Sequence, residues 1–597
     1  MKPYRAFKGI PTYDDEDPRW IVKTEHWEGE DIDVIYRKGN GTMSKEQMAE
    51  ARKQGKFVPP FVYSAPCDTH TYECMPGILC DRDTPVKLRD GVTIYADIYR
   101  PKDSGPVPLI ISWGPFGKNM LEVGGFKAMG VPPQAVSKFA KFESADPAYW
   151  VPNGYAVANV DPRGVGHSEG YVSIWGVQDH YDGYDFIEWA AKQPWCTGKI
   201  SMFGNSGVCM VIWGIASTQP PHLTCIAGWE GTGDMYRESF ALGGIDNPNY
   251  NEIMINTVAC NTYVEDVPNM YAAHPFYDKY WQMRTPKWEN IKIPAYICSG
   301  MCHIHNRGSF EAFRKIRSPK KWMRAHREME WPDTYNPENV ADLKKFYDRY
   351  LKDIHNGWEF TPKVRIDVMD AYDFDFRPKR PENEFPLKRT QYKKIYLDAA
   401  THSGSFEPFP THSEVVYDPK TEMTTFDITF DEDTEITGYI SAHLNIECRG
   451  YDNMDLFLWV KKLGQNGEYV PISCIDTPYR GAWGYLRGRR RALDPELSTD
   501  FQPVLAHQKD EPMEQGKIYP VDIEFYPHSR IWHKGETLRL EIEGRFIKTD
   551  WFEDDHNNPE EDNGDGMHVI HTGGEYQSWL QVPVIPPKYV SGDYVIR

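Results

Sequence analysis

The sequence predicts an α/β domain built on a parallel sheet, followed by an antiparallel β-sandwich. Between residues 86 and 380, short apolar strands alternate with amphipathic helices, the pattern of a parallel sheet covered on both faces. After about residue 385, segments such as 415–430 and 434–448 alternate with period two between turn residues. Many short strands of this kind indicate a jelly-roll sandwich.

Composition supports a folded chain of several domains. The 597 residues are 40% hydrophobic and 26% charged, and 14% are aromatic, which excludes extensive disorder. With 67 basic and 87 acidic residues, the net charge of −20 argues against nucleic-acid binding. The sequence contains no run of about 18 apolar residues, so it predicts no membrane-spanning helix. We expect reduced thiols for the 11 cysteines, a cytoplasmic location and possible homo-oligomers.

The elements follow in a clear order. Residues 1–80 are polar and aromatic-rich and read as an N-terminal extension. Residues 81–231 and 288–380 carry the strand–helix alternation, and the polar, helical stretch 232–287 interrupts it as an inserted cap. Residues 381–597 form the predicted sandwich, after a Pro- and Lys-rich boundary.

The segment Gly204-Asn-Ser206-Gly207 carries the strongest chemical signal. It lies between a predicted strand and an apolar helix, the context of a nucleophile elbow. The turn is tight, so the residues that flank the serine must be small. Val208 stands where the full G-x-S-x-G motif has its last glycine.

Several segments together resemble the cocaine-esterase-like hydrolases, relatives of the Xaa-Pro dipeptidyl-peptidases and α-amino-acid ester hydrolases. The resemblance covers about residue 86 to the C-terminus. Its segments, in chain order, are KLRDGVTIYADIYRP, Asp161–Ser168, DFIEWAAKQPW, GKISMFGNS, Trp229–Glu238, MDLFLWVKKLG, Arg489–Asp494, HKGETLRLEIEG and HVIHTGGEYQSWLQVP. This likeness implies an α/β-hydrolase domain with an inserted helical cap and a C-terminal jelly roll. It also implies cofactor-free serine hydrolysis of esters or amides of small molecules.

Carried onto this chain, the family pattern assigns Ser206 as the nucleophile and His326 as the general base. The family's triad acid falls on or next to His303, which brings no negative charge. In the loop 113–119, Phe116 takes the place of an oxyanion-binding tyrosine and has no hydroxyl to donate. The backbone N–H of Gly207 remains as an oxyanion donor.

Other side chains remain open as partners. Lys118 or Asn119 is an alternative second oxyanion donor, and Phe116, Trp229, Tyr236 and His305 are candidates for the substrate pocket. Candidate carboxylates for orienting His326 are Glu230, Asp333 and Asp370.

The altered acid and oxyanion positions leave two alternatives to hydrolysis. One is a lyase, acyl-transfer or cyclisation reaction in a pocket lined by His303, His305 and His326. The other is a ligand-binding protein on a decayed hydrolase fold. The run Cys298-x₃-Cys302-His303-x-His305 invites a metal, but it lacks two separated ligand pairs, so no metal is predicted.

Two charged runs admit a ligand but favour structural readings. The acidic run 553–565 lacks the spacing of a calcium loop, and the basic run 487–491 reads as a salt-bridged segment.

Overall fold

The N-terminal segment is folded against the rest of the protein. The computed structural model describes residues 5–56, 58, 63–119, 126–127, 129–474, 477–549 and 558–587. Strands β1 (Trp20–Trp27) and β2 (Glu30–Lys38) form a hairpin, and Tyr263–Glu265 of the cap adds a third strand. Helix α1 (Lys45–Lys53) begins with a capping box between Ser44 and Gln47.

A mixed sheet forms the core of the first domain. Its strands are β3 (His70–Met75), β4 (Ile78–Lys87), β5 (Thr93–Pro101), β6 (Val107–Trp113), β7 (Ala156–Asp161), β8 (Cys196–Asn205), β9 (Leu223–Trp229), β10 (Ala295–Gly300), β11 (Lys321–His326), β12 (Val364–Ala371) and β13 (Phe374–Glu382). Their spatial order is β3-β4-β5-β7-β6-β8-β9-β10-β11-β12-β13, and the strands from β7 to β12 run parallel. The predicted parallel sheet is confirmed. It extends one strand further than expected, because β3 lies inside the predicted N-terminal extension.

Helices cover both faces of this sheet and build the cap. They are α2 (Pro147–Trp150), α3 (Val177–Ala190), α4 (Ser206–Ser217), α5 (Asn249–Thr257), α6 (Val267–Ala273), α7 (Lys279–Arg284), α8 (Asn306–Lys315), α9 (Glu330–Thr334) and α10 (Pro337–Leu351). Helices α5 to α7 fall in the predicted insertion, together with a π-helical turn, Tyr236–Phe240. Single-turn 3₁₀ helices span 133–135, 288–290, 358–360 and 488–490.

Helices α3 and α4 pack against each other with a glycine of each helix at the contact. A Cβ on Gly214 would lie 1.9 Å from His180 Nε2, and one on Gly183 would lie 2.3 Å from Ile215 Cδ1. The side chains of His180 and Ile215 therefore lie directly against the backbone of the opposite helix, and this contact fixes the helix that starts at Ser206.

We expect Gly214→Ala to destabilise the protein by about 1–3 kcal/mol, the usual cost of an overpacked core. The measurement is the shift of the thermal unfolding midpoint by circular dichroism. Gly105→Ala is the matched control, because a Cβ there meets nothing within 4 Å. Equal midpoints for the two variants would contradict the close approach of α3 and α4.

The second domain is a sandwich of antiparallel strands. They are β14 (Gln391–Asp398), β15 (Ser403–Ser405), β16 (Ser413–Tyr417), β17 (Met423–Thr429), β18 (Thr434–Gly438), β19 (Ser441–Arg449), β20 (Asp455–Leu463), β21 (Ile472–Cys474), β22 (Thr477–Tyr479), β23 (Ala482–Arg487), β24 (Tyr519–Glu524), β25 (His528–Trp532), β26 (Thr537–Glu543), β27 (Met567–Thr572) and β28 (Trp579–Ile585). One layer centres on β19 and β28 and the other on β26 and β20. Their inward apolar side chains form a core of their own.

Buried ion pairs join the cap to the sandwich. Asp246 of the cap pairs with Arg487 and Arg490, and Arg5 also reaches it at 2.7 Å. Both sandwich arginines are buried. The basic run 487–491 is thus structural, as expected. The acidic run 553–565 lies partly outside the described residues.

Among the described residues, no helix is long and apolar enough to cross a membrane.

Candidate active site

Four neighbouring strands deliver the polar residues of one site. Ser206 follows β8, Glu230 follows β9, the segment with His303 and His305 follows β10, and His326 ends β11. Because these strands run parallel and adjacent, their carboxyl ends meet at one edge of the sheet. Ligands of open α/β sheets bind at this edge.

The elbow predicted at Ser206 is present. Strand β8 ends at Asn205 and α4 begins at Ser206, whose φ of 48° is in the left-handed region. A Cβ on Gly204 would lie 2.3 Å from Val208 Cγ1, and one on Gly114 would lie 2.8 Å from Val208 Cγ2. Two glycines therefore accommodate Val208 where the motif usually has glycine.

The hydroxyl of Ser206 contacts His305. Its Oγ lies 2.9 Å from His305 Nε2, and His305 Nδ1 lies 2.8 Å from Thr232 Oγ1. If the hydroxyl donates to Nε2, then Nδ1 carries the ring proton and donates it to Thr232. Burial, aided by the neighbouring His303, lowers the pKa of His305 well below its usual value. The resting ring is therefore neutral at pH 7, with Nε2 unprotonated and facing the hydroxyl.

The structure places His326 among carboxylates. Its Nε2 lies 3.0 Å from Glu230 Oε1 and 3.3 Å from Asp333 Oδ2, while Nδ1 lies 3.1 Å from the carbonyl oxygen of Glu328. Burial alone would lower the pKa of His326, but the charges of Asp333 and Glu230 outweigh it, so the pKa is raised. Both ring nitrogens face acceptors, which favours the imidazolium form.

The hydroxyl of Ser206 is thus hydrogen-bonded to His305, not to His326. The assignment of His326 as base stays a prediction, and the geometry favours His305 in that role. The sequence held one signal for it, a histidine two positions beyond the family's acid position.

Asp333 is the most firmly held carboxylate. Arg324 donates to it from Nη1, at 2.7 Å, and from Nη2. Trp229 Nε1 also donates to it at 2.7 Å. Burial alone would raise the pKa of Asp333. The positive charges of Arg324 and then His326 have the larger effect and lower the pKa to about 2. Asp333 stays ionised at all physiological pH values.

Of the other candidate carboxylates, Glu230 joins the site and Asp370 does not. Glu230 is fully buried, and its second oxygen approaches His303 Nδ1 at 3.8 Å. Asp370 pairs instead with Lys462 at 2.6 Å and His533 at 3.0 Å, in the contact with the sandwich.

Two predicted pocket residues prove to be core residues. Trp229 and Tyr236 are 0% exposed. Trp229 is occupied with Asp333, and the hydroxyl of Tyr236 donates to the carbonyl of Pro275 at 2.7 Å within a cluster of aromatic rings. Because both side chains are enclosed on all sides, neither lines an open pocket.

The oxyanion side of the elbow is largely apolar. The Phe116 ring lies close to Gly207, where a Cβ would come within 2.7 Å of it, and packs edge-on against Phe142. Lys118 is withdrawn from the site, because it is buried in ion pairs with Asp83 and Asp97. It is therefore not the second oxyanion donor.

One residue that the sequence did not reveal does reach this place. Glu143 Oε2 lies 3.3 Å from Val208 N, and Glu143 Oε1 accepts a hydrogen bond of 3.2 Å from Trp331 Nε1. The loop that carries Glu143 has no motif that would have marked it.

Three buried side chains have the geometry of a metal site. Ligand atoms of His303, His305 and Glu330 lie within 4.8 Å of one another. Both ring nitrogens of His305 already have hydrogen-bond partners, however. Cys298 and Cys302 belong to neither of the two groups of potential metal ligands among the described residues. The second group consists of Glu414, Glu447 and His571, and both of its glutamates form ion pairs with Arg449.

Comparisons with known proteins agree with this geometry. The X-Pro dipeptidyl-peptidase (S15 family) model matches residues 90–262, and that of the X-Pro dipeptidyl-peptidase C-terminal non-catalytic domain matches residues 356–581. A cocaine esterase from Rhodococcus is 23% identical over 583 residues, covering 84% of this chain and 97% of the esterase.

Solved structures extend the match. The crystal structure of a CocE/NonD family hydrolase from Staphylococcus aureus is 34% identical, with a TM-score of 0.80 over 85% of this chain and 94% of its own. An α-amino acid ester hydrolase, 16% identical with a TM-score of 0.59 over 87% of this chain and 98% of its own, shares the fold. The predicted architecture and resemblance are confirmed. The chain belongs to the CocE/NonD family of α/β-hydrolases and is a serine hydrolase that acts on ester or amide bonds.

Proposed function

We propose that Ser206 attacks the carbonyl carbon of a small ester or amide and that His305 takes its proton. The observation that carries this proposal is the 2.9 Å contact between Ser206 Oγ and His305 Nε2 at the tip of the elbow. The resulting alkoxide adds to the carbonyl, the leaving group departs with the proton of His305, and water hydrolyses the acyl-enzyme.

The environment of His305 supports a base without a directly bonded carboxylate. Thr232 Oγ1 fixes the tautomer by accepting from Nδ1. The ring of His303 contacts the ring of His305 and lies 3.4 Å from Glu330 and 3.8 Å from Glu230. Two carboxylates therefore lie next to the histidine that adjoins the imidazolium formed on His305.

His326 is a positioning residue in this mechanism. Its imidazolium form neutralises Glu230 and Asp333, and so holds Glu230 beside His303.

Aromatic side chains support a hydrophobic or aromatic acyl group. Phe116, Phe142 and Trp331 form a row of ring contacts next to Gly207, and Trp175 Nε1 donates to the Gly207 carbonyl at 2.7 Å. The esterase name of the Rhodococcus relative agrees with an ester substrate.

The test is the rate at which a fluorophosphonate probe labels the protein, with the labelled peptide identified by mass spectrometry. We expect labelling at Ser206 in the wild type. Removal of general-base assistance by His305→Gln should slow labelling about 10²–10⁴-fold. His326→Gln, which keeps size and an N–H donor, should slow it less than about tenfold.

The reverse order of the two variants would make His326 the base. Absence of label at Ser206 in folded wild-type protein would refute the nucleophile itself. Thermal unfolding of each variant checks that the folded state is retained.

We also propose a cytoplasmic location and leave a homo-oligomer open. The free thiols of ten described cysteines support a reducing compartment. Gel filtration with light scattering measures the oligomeric state.

A further inference from the structure

The carboxyl group of Glu143 lies beside the backbone amides at the start of α4, the end of the helix that an oxyanion of the proposed reaction would face. Its contact with Val208 N places it at the N-terminus of α4, one residue beyond Gly207. Trp331 Nε1 also donates a hydrogen bond to this carboxyl. Glu143 is 1% exposed, so it meets these groups in the absence of bulk water.

Among the described residues, the site otherwise has one identified donor for an oxyanion. Gly207 N–H is in place, but Phe116 carries no hydroxyl and Lys118 is held in ion pairs. A tetrahedral intermediate of ester or amide cleavage needs donors aimed at its oxygen, and loss of one typically costs about 10²–10³ in turnover.

We propose that Glu143, as a neutral carboxylic acid, donates the second hydrogen bond to the oxyanion beside the N–H of Gly207. This inference rests on the proposed role of Ser206. The substrate carbonyl oxygen enters between these two donors. The proton stays on Glu143 throughout, so the residue acts by hydrogen bonding and not by proton transfer.

The surroundings of Glu143 keep it protonated. Burial raises its pKa to about 8, and the hydrogen bonds that it accepts from Trp331 Nε1 and Val208 N oppose this only in part. The titratable groups that interact with it include the Tyr335 hydroxyl and the Cys209 thiol, both neutral because burial raises their pKa values. An ionised carboxylate here would repel the oxyanion, so the active form is the neutral acid.

The experiment compares Glu143→Gln and Glu143→Ala with the wild type, using phenyl acetate hydrolysis followed by acetate release between pH 6 and 10. Wild-type turnover should fall as pH rises through about 8, where Glu143 loses its proton. Glu143→Gln keeps an N–H donor, so we expect turnover within about tenfold of wild type and no fall near pH 8. Glu143→Ala should lose about 10²–10³-fold.

Asp179→Asn is the matched control. Asp179 is a buried carboxyl on α3 whose pKa burial also raises to about 8, and it accepts a hydrogen bond from Trp113. This variant should keep the wild-type pH profile.

Either of two results would overturn the inference. Glu143→Ala with wild-type or higher turnover would show that the carboxyl obstructs the oxyanion site. Glu143→Gln with an unchanged fall near pH 8 would assign that limb to another group. If Glu143→Ala does not fold, the pH profile of Glu143→Gln decides alone. A fully active Ser206→Ala would instead refute the proposed nucleophile, so the two failures are distinguishable.

Discussion

Ser206→Ala should lower turnover of phenyl acetate by about 10⁴–10⁶-fold, the loss seen when a serine nucleophile is removed from an intact catalytic unit. The alanine keeps the backbone and the surrounding hydrogen bonds but leaves His305 Nε2 without the hydroxyl at 2.9 Å. The measurement is initial-rate hydrolysis, corrected for the spontaneous reaction.

Ser217→Ala at the other end of α4 is the control. Its hydroxyl donates only to the carbonyl of Gly214, so turnover should be unchanged.

A third variant separates activity from folding. Ser206 has φ of 48°, which costs a residue with a Cβ about 1–3 kcal/mol, so Ser206→Gly should be inactive and have a higher unfolding midpoint. Substantial turnover in Ser206→Ala would favour the non-hydrolytic alternative.

The second large effect concerns stability. Asp333→Ala leaves the guanidinium of Arg324 buried and uncompensated, at 2% exposure, so we expect a loss of about 3–5 kcal/mol. The same variant removes one of the two charges that hold His326. The measurement is the shift in unfolding midpoint in urea and on heating.

Two comparisons test the cause. Asp427→Ala breaks a partly exposed pair with Arg539 in the sandwich, with side chains 33% and 35% exposed, and should cost less than about 1 kcal/mol. Arg324→Met combined with Asp333→Leu removes both charges and should recover much of the loss. Equal losses for Asp333→Ala and Asp427→Ala would contradict the argument.

The ion pair of Asp333 with Arg324 also determines how the stability of the protein changes with pH. The folded-state pKa of Asp333 is about 2, below its ordinary 3.8, so its contribution to stability is complete above about pH 5. It is lost as the pH falls through about 2, where the folded-state carboxylate is protonated. Asp333→Ala should therefore show a smaller destabilisation at pH 2 than at pH 7.

The strands, the elbow and the sandwich can be read from the sequence, because each depends on local periodicity. The alternation before residue 380 predicts the parallel sheet, and the small residues around Ser206 predict its tight turn. The edge at which the polar residues meet follows from parallel strand direction alone. These features need no knowledge of distant contacts.

The identity of the groups that meet at Ser206 depends on the tertiary structure. His305 and His326 both stand at strand ends, and only the loop conformation after β10 brings the first to the serine hydroxyl. Glu143 comes from a loop with no pattern of its own, and its carboxyl reaches Val208 N through packing against Trp331. Hydrogen bonds of a few ångströms depend on the positions of residues far apart in the chain, and single-residue patterns do not encode those positions.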